Sequence, residues 1–232
     1  MRFRRLLVAS LIVPISFMAT SARAAAVSGE ANIAGNVNVS NSSILFNPVF
    51  TNTPGAMETG SFAGLTGGSI MSLTGGPATG ATYVAGFISF NQGVAAPITF
   101  DLTYIAPGVG TAAACSSGAL GSVCTPNGSP FTLVQLTSDT VVASLQLKGN
   151  AYTGSSASGS SFTRGVFSTQ TVIGGSIPLI LGQLNNGGTL TGITYSASFA
   201  SSPVPEPASM LLMGLGLTGA GLIARRKGAK RA

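Results

Sequence analysis

The residues of this chain that can do chemistry are few, and their types narrow the choice. In 232 residues there is no histidine, no tryptophan and only one pair of cysteines. Without histidine, the Ser-His-Asp and Cys-His arrangements are excluded, and histidine metal sites with them. Four carboxylates, Glu30, Glu58, Asp101 and Asp139, stand between residues 25 and 203. They are too scattered for a calcium loop, which gathers its oxygen ligands within about a dozen residues. Two of them would suit a carboxylate-dependent hydrolase only if folding brought them together, because distance in space decides there. Asp139 reads as a turn residue and Asp101 as a strand residue with a satisfied or solvated carboxylate. Tyr83, Tyr104, Tyr152 and Tyr195 are either a platform for a sugar ring or strand packing. Lys148 and Arg164 read as lone solvated cations. No catalytic residue, cofactor-binding residue or metal ligand emerges, and the expectation is a protein that is not an enzyme and needs no cofactor.

The two ends of the chain are more specific. Arg2, Arg4 and Arg5 precede an apolar run from Leu6 to Ala19, and Ala22-Arg23-Ala24 follows as a small-x-small site. This is the pattern of a secretory signal peptide, cut after Ala24 or, alternatively, after Ala26. Near the other end, Pro205-Glu206-Pro207 leads into an apolar stretch from Met210 to Ala224, and Arg225-Arg226-Lys227 follows at once. The prolines favour an extended approach, and Pro207 suits the first turn of a helix. From Pro207 to Ala224 there are 18 residues without a charge. At about 1.5 Å per residue that is roughly 27 Å, close to the ~30 Å of a bilayer core. The cations behind it act as a stop-transfer tail and place the preceding chain outside. Gly214, Gly216 and Gly219 fit G-x-G-x-x-G, but a proline-rich linker precedes them instead of a strand, so nucleotide binding is not expected. These glycines read as close-approach positions on a membrane helix.

A Pro-Glu-Pro element, one short apolar span and a basic tail, in that order, resemble the PEP-CTERM sorting signal of Gram-negative bacteria. The resemblance covers about the last thirty residues. It implies recognition by an exosortase, a membrane-embedded transpeptidase-like enzyme, with Pro205, Glu206 and Pro207 as the recognition element. It further implies a precursor held transiently in the inner membrane, release to the cell surface or medium, and association with exopolysaccharide or biofilm matrix. Removing the ends also changes the charge. The full chain carries +6. Residues 25–203 hold four acids against Lys148 and Arg164, so the basic balance belongs to the targeting segments and nucleic acid is not an expected partner.

These readings divide the chain into a signal peptide at 1–24, a passenger domain at 25–202 and a sorting segment at 203–232. Within the passenger, Cys115 and Cys124 are expected to form a disulfide, as an even cysteine count in an exported chain suggests. Ala31–Ser40 alternates Ile33, Val37 and Val39 with polar residues, the mark of a half-buried strand. Further strands are expected at 44–50, 69–73, 82–90, 98–105, 161–172 and 190–200, with a hairpin of 131–137 and 140–152 turning at Ser138-Asp139. One helix is expected after Ser176 as cap, with Pro178 in its first turn and Ile177, Ile180, Leu181 and Leu184 on one face. Asn185 to Gly188 should stop it. The fold class is therefore all-β, an antiparallel β-sandwich or jelly-roll with one short helix, flanked by the signal peptide and a C-terminal membrane helix. A β-solenoid is the alternative, because Leu65-Thr-Gly-Gly68 recurs as Leu73-Thr-Gly-Gly76. The period is not sustained, and two similar turns explain the repeat more simply. Function follows in three readings: a non-enzymatic surface or matrix protein first, a glycan-binding module second, a carboxylate hydrolase third.

Overall fold

Period-two alternation sets the architecture from the first strand onward. The computed structural model describes residues 26–53, 55–155, 159–169, 175–203, 214 and 216–218. Among them run β1 (Gly29–Val39), β2 (Ser43–Phe46), β3 (Val49–Asn52), β4 (Gly67–Ile70), β5 (Leu73–Thr74), β6 (Gly80–Gln92) and β7 (Ile98–Ile105). Then come β8 (Val123–Cys124), β9 (Phe131–Gln135), β10 (Val141–Thr153), β11 (Ser161–Thr169), helix α1 (Ile177–Asn185) and β12 (Leu190–Pro203). All ladders between these strands are antiparallel. Asn47-Pro48 divides the expected strand at 44–50 into β2 and β3, and the 69–73 segment divides into β4 and β5 in the same way. No helix among the described residues is long and apolar enough to cross a membrane. The expected signal peptide lies outside those residues, and the expected membrane helix lies almost wholly outside them.

The expected sandwich is corrected to a closed barrel. Going round it, the order is β11-β12-β1-β3-β4-β6-β7-β10, and β10 pairs with β11 again to close eight strands. Alternation and turn spacing look alike in a sandwich and a barrel. The difference lies in two ladders: β1 with β12, which joins Gly29 to Ser201, and β10 with β11, which joins Ala151 to Ser161. Closure leaves the ring without an unpaired edge.

Side-chain size explains how so narrow a ring closes. A column of rings fills it: Phe46 touches Phe167 (centroids 5.3 Å), Phe167 touches Phe199 (5.5 Å), Phe199 touches Phe90 (5.6 Å) and Phe90 touches Phe62 (5.1 Å). Facing the rings are glycines. A Cβ on Gly35 would lie 2.7 Å from Tyr195 Oη, on Gly68 2.6 Å from Phe50 Cζ, and on Gly149 2.7 Å from Phe100 Cε2. Gly165 backs onto the Phe199 ring in the same way. Strand glycine marks close approach, and small residues against large ones are how a small barrel fills its interior.

The two ends of the barrel differ. At one end, Phe62 and Leu65, both buried, plug the interior beneath Phe90. At the other, which we call the mouth, the wall splits. The last residues of β1 pair with β2 rather than β3, and the first residues of β10 pair with β9 rather than β7. Strands β5 and β8 extend these two flaps. Helix α1 lies at the mouth. Its expected face is correct, with Ile177 and Ile180 buried, but Ser176 makes no side-chain cap. The buried Gln135 of β9 replaces it, its Oε1 accepting from the Ile177 N–H at 2.8 Å. The repeat also resolves: Gly67-Gly68 sits inside β4, whereas Gly75 and Gly76 turn at φ +83° and +75°. Only the second copy is a turn.

Candidate functional site

A β-bulge decides which tyrosines face outward. In β7, Lys148 of β10 pairs with Tyr104 and Gly149 with Leu102, which leaves Thr103 as the extra residue. One extra residue shifts the side-chain alternation. It leaves Ile105 inside at 2% exposed and turns Tyr104 to the outer face. There the Lys148 ammonium stands 5.0 Å from the Tyr104 ring centre.

Beside it, Asp101 also faces outward, yet it is almost fully buried. It sits beneath an irregularity in β6, where Gly86 takes φ +61° and donates its N–H to Asp101 Oδ1 at 2.7 Å. The Tyr83 hydroxyl donates to Oδ2 at 3.3 Å and the Tyr152 hydroxyl to Oδ1 at 3.2 Å. One carboxylate therefore holds two rings from different strands. The Asp101 charge, then burial, raises the Tyr83 pKa above its ordinary value. For Tyr152 burial comes first and the Asp101 charge second, also upward. Both phenols stay protonated donors at neutral pH. The strip continues through Asn150 to Phe162, which has Arg164 over its ring at 5.4 Å.

Three of the four candidate tyrosines are thus brought onto one outer face, and Tyr195 is not. It is 2% exposed inside the barrel, its hydroxyl has no hydrogen-bond partner among the described residues, and burial drives its pKa far upward. Asp101 and Asp139 separate. Asp139 lies in the β9–β10 turn with Thr137 Oγ1 donating to it at 2.7 Å, and Asp101 pairs with Asn150 near the far end of β10. The ten strand residues from Val141 to Asn150, at about 3.3 Å each, put the two on the order of 30 Å apart, well beyond the roughly 5–10 Å a hydrolytic pair needs. Glu30 stands on β1, four strands round the ring from Asp101. Glu58 precedes Thr59, whose N–H bonds to the Glu30 carbonyl, so these two share the plugged end. Cys115 and Cys124 form the expected disulfide, with Cα atoms 4.9 Å apart.

The sequence reading missed the mouth cavity. It has a volume of about 460 Å³ and runs beneath α1 between the two flaps. Phe46, Phe167 and Tyr195, in mutual ring contact, line its inner part. Ile180, Leu181 and Leu184 of α1 line it from the helix side. Among the described residues no Asp, Glu, Lys or Arg lines it. Its lining comes from segments scattered from Val37 to Tyr195, so no local motif announces it.

The remaining predicted residues, Ala22, Ala24, Pro205, Glu206, Pro207, Arg225, Arg226 and Lys227, lie outside the described residues. Comparison with known families reaches the C-terminal group: residues 203–227 match the PEP-CTERM protein-sorting motif. The chain carries a PEP-CTERM sorting motif. Such a motif belongs to an exported protein of Gram-negative bacteria whose precursor is membrane-anchored and processed by an exosortase. Its first residue, Pro203, is also the last of β12, paired with Ser161 at the plugged end. The PEP-CTERM segment thus leaves the barrel opposite the mouth. Neither the curated proteins nor the solved structures give a match to the chain.

Proposed function

We propose that this PEP-CTERM protein is a non-enzymatic surface protein, delivered by an exosortase and retained in extracellular polysaccharide. The observation that carries the matrix half is the outer face fastened by Asp101, where Tyr83 and Tyr152 present hydroxyls and ring faces beside Tyr104 and Lys148. Aromatic rings offer flat apolar area with a polar handle, the pairing that a sugar's alternating C–H and O–H faces require. The wide separation of Asp101 from Asp139 speaks against hydrolysis by that pair. A glycan-binding module is the second reading, favoured by the same face. It differs in demanding a defined oligosaccharide rather than bulk matrix.

Delivery is tested by intact mass of the surface form in strains with and without the cognate exosortase. The expected product lacks Arg225 to Arg231; a surface form that retains them in the exosortase-bearing strain refutes processing. Retention is tested by co-sedimentation with the host's purified exopolysaccharide, comparing wild type with Tyr83→Ala/Tyr152→Ala. Loss of co-sedimentation in the double variant is expected, and unchanged sedimentation overturns the assignment. Saturable binding of one oligosaccharide on an array would favour the second reading.

A further inference from the structure

The mouth cavity has no part in sorting or in the outer tyrosine face. We infer that it is a binding site for a neutral, mainly aliphatic small molecule carrying one hydrogen-bonding oxygen.

Size comes first. A volume of about 460 Å³ falls within the ~300–1,000 Å³ of small-molecule sites. With atoms each taking about the ~30 Å³ share of a water, it holds on the order of fifteen heavy atoms. The lining sets the character of the ligand. Ile44, Leu133, Val141, Leu145, Leu190 and Ile193 form most of the apolar wall. A carboxylate or ammonium there would be desolvated with no counter-charge among the described lining residues, which selects against charged ligands. Polar groups gather at the rim, where Asn41, Asn127 and Ser129 contribute amides and a hydroxyl.

The inner end is aromatic. The rings of Phe46, Phe167 and Tyr195 line it, while the Tyr195 hydroxyl faces Gly35, which is not a lining residue, and has almost no accessible surface, so Tyr195 offers a ligand ring contact alone. The ligand's oxygen therefore meets the rim amides of Asn41 and Asn127. Helix α1 covers the site with Leu181 and Leu184, and its first turn is fastened to the wall through Gln135. Entry is by the mouth, the end remote from Pro203.

The test uses the exported full chain and a neutral fluorescent probe, N-phenylnaphthylamine, displaced by dodecanol, dodecane or dodecanoate. Saturable binding of one probe per chain is expected. Dodecanol should displace it at least about tenfold more effectively than dodecanoate, the equivalent of ~1.4 kcal/mol. Ala143→Phe, which fills the cavity from β10, should weaken the probe by about tenfold or more. If circular dichroism shows that variant unfolded, Leu184→Phe fills the same space from the helix. Replacing Asn41 and Asn127 together by alanine should weaken dodecanol about three- to tenfold, the share of one hydrogen bond, and leave dodecane unchanged. Probe binding that survives a folded cavity-filling variant places the probe elsewhere on the chain and overturns the inference. So does dodecanoate equal to dodecanol, or an Asn41→Ala/Asn127→Ala protein that holds dodecanol as tightly as wild type.

Discussion

Gly165→Ala isolates the packing rule that closes this barrel. Gly165 has no left-handed φ, so alanine meets no backbone strain there. What the new methyl meets is the Phe199 ring, with Cδ1 at 2.8 Å and Cζ at 3.1 Å. That ring has nowhere to go, being 0% exposed and in contact with Phe90, Phe100 and Phe167 at 5.6, 5.6 and 5.5 Å. Overpacking of this kind costs about 1–3 kcal/mol. Replacing a strand glycine returns roughly 0.5–1 kcal/mol, because alanine loses less conformational freedom on folding. Contacts below 3 Å on a ring held from three sides put the cost in the upper part of that range, so the net is a destabilisation of about 1–2.5 kcal/mol, which lowers the thermal midpoint of a domain this size by about 2–10 °C. Two-state urea unfolding and calorimetry read it. Phe199→Leu alone opens a cavity, and the double variant should show a favourable coupling of about 0.5–3 kcal/mol as the methyl takes that space. Gly182→Ala in α1 is the control. Nothing lies within 4 Å of its added Cβ and its φ is ordinary, so a gain of roughly 0.5–1 kcal/mol is expected. A Gly165→Ala protein as stable as wild type, or zero coupling with Phe199→Leu, would refute the pairing of interior glycines with rings.

Other outcomes follow from the same geometry. The Tyr83, Tyr152 and Tyr195 phenols all hold their protons more tightly folded than unfolded. The unfolded chain therefore releases protons first above pH ~10, so stability is full below that pH and declines as pH rises through it. Asp101→Asn should bring the Tyr83 titration down toward its ordinary value, read by tyrosinate absorbance; an unshifted curve would deny the contact. Replacing both Cys115 and Cys124 by alanine should cost about 2–3 kcal/mol, and equal midpoints with and without reductant would contradict that. Gln135→Leu removes the acceptor for the Ile177 N–H and the donor to the Thr137 carbonyl at 2.6 Å. A loss of about 1–3 kcal/mol is expected, with faster amide exchange confined to α1.

Local chemistry was legible where neighbouring residues decide it. The disulfide needed only an exported chain and an even cysteine count. Ile98–Ile105 reads as a strand because its branched and aromatic residues favour a pleated surface, and α1 shows in Pro178 with one apolar face. Delivery was legible too, since the PEP-CTERM element is contiguous and the match falls on residues 203–227. Asp101 was legible as a strand residue with a satisfied or solvated carboxylate, but what satisfies it, Tyr83 and Tyr152, lies 18 and 51 positions away. The four tyrosines looked equivalent in sequence. A bulge at Thr103 and the ring's closure sent three outward and Tyr195 in.

Sequence alone determined most of the strands, the short helix, the cysteine pair and the sorting motif, because each rests on periodicity or on a contiguous run. Tertiary structure alone decided barrel against sandwich, since that choice rests on β1 meeting β12 and β10 meeting β11. The two architectures share one local pattern and differ only in those ladders. The mouth cavity belongs to the same class of fact. It exists because two flaps part and a helix spans the gap, and no single stretch of chain encodes empty space.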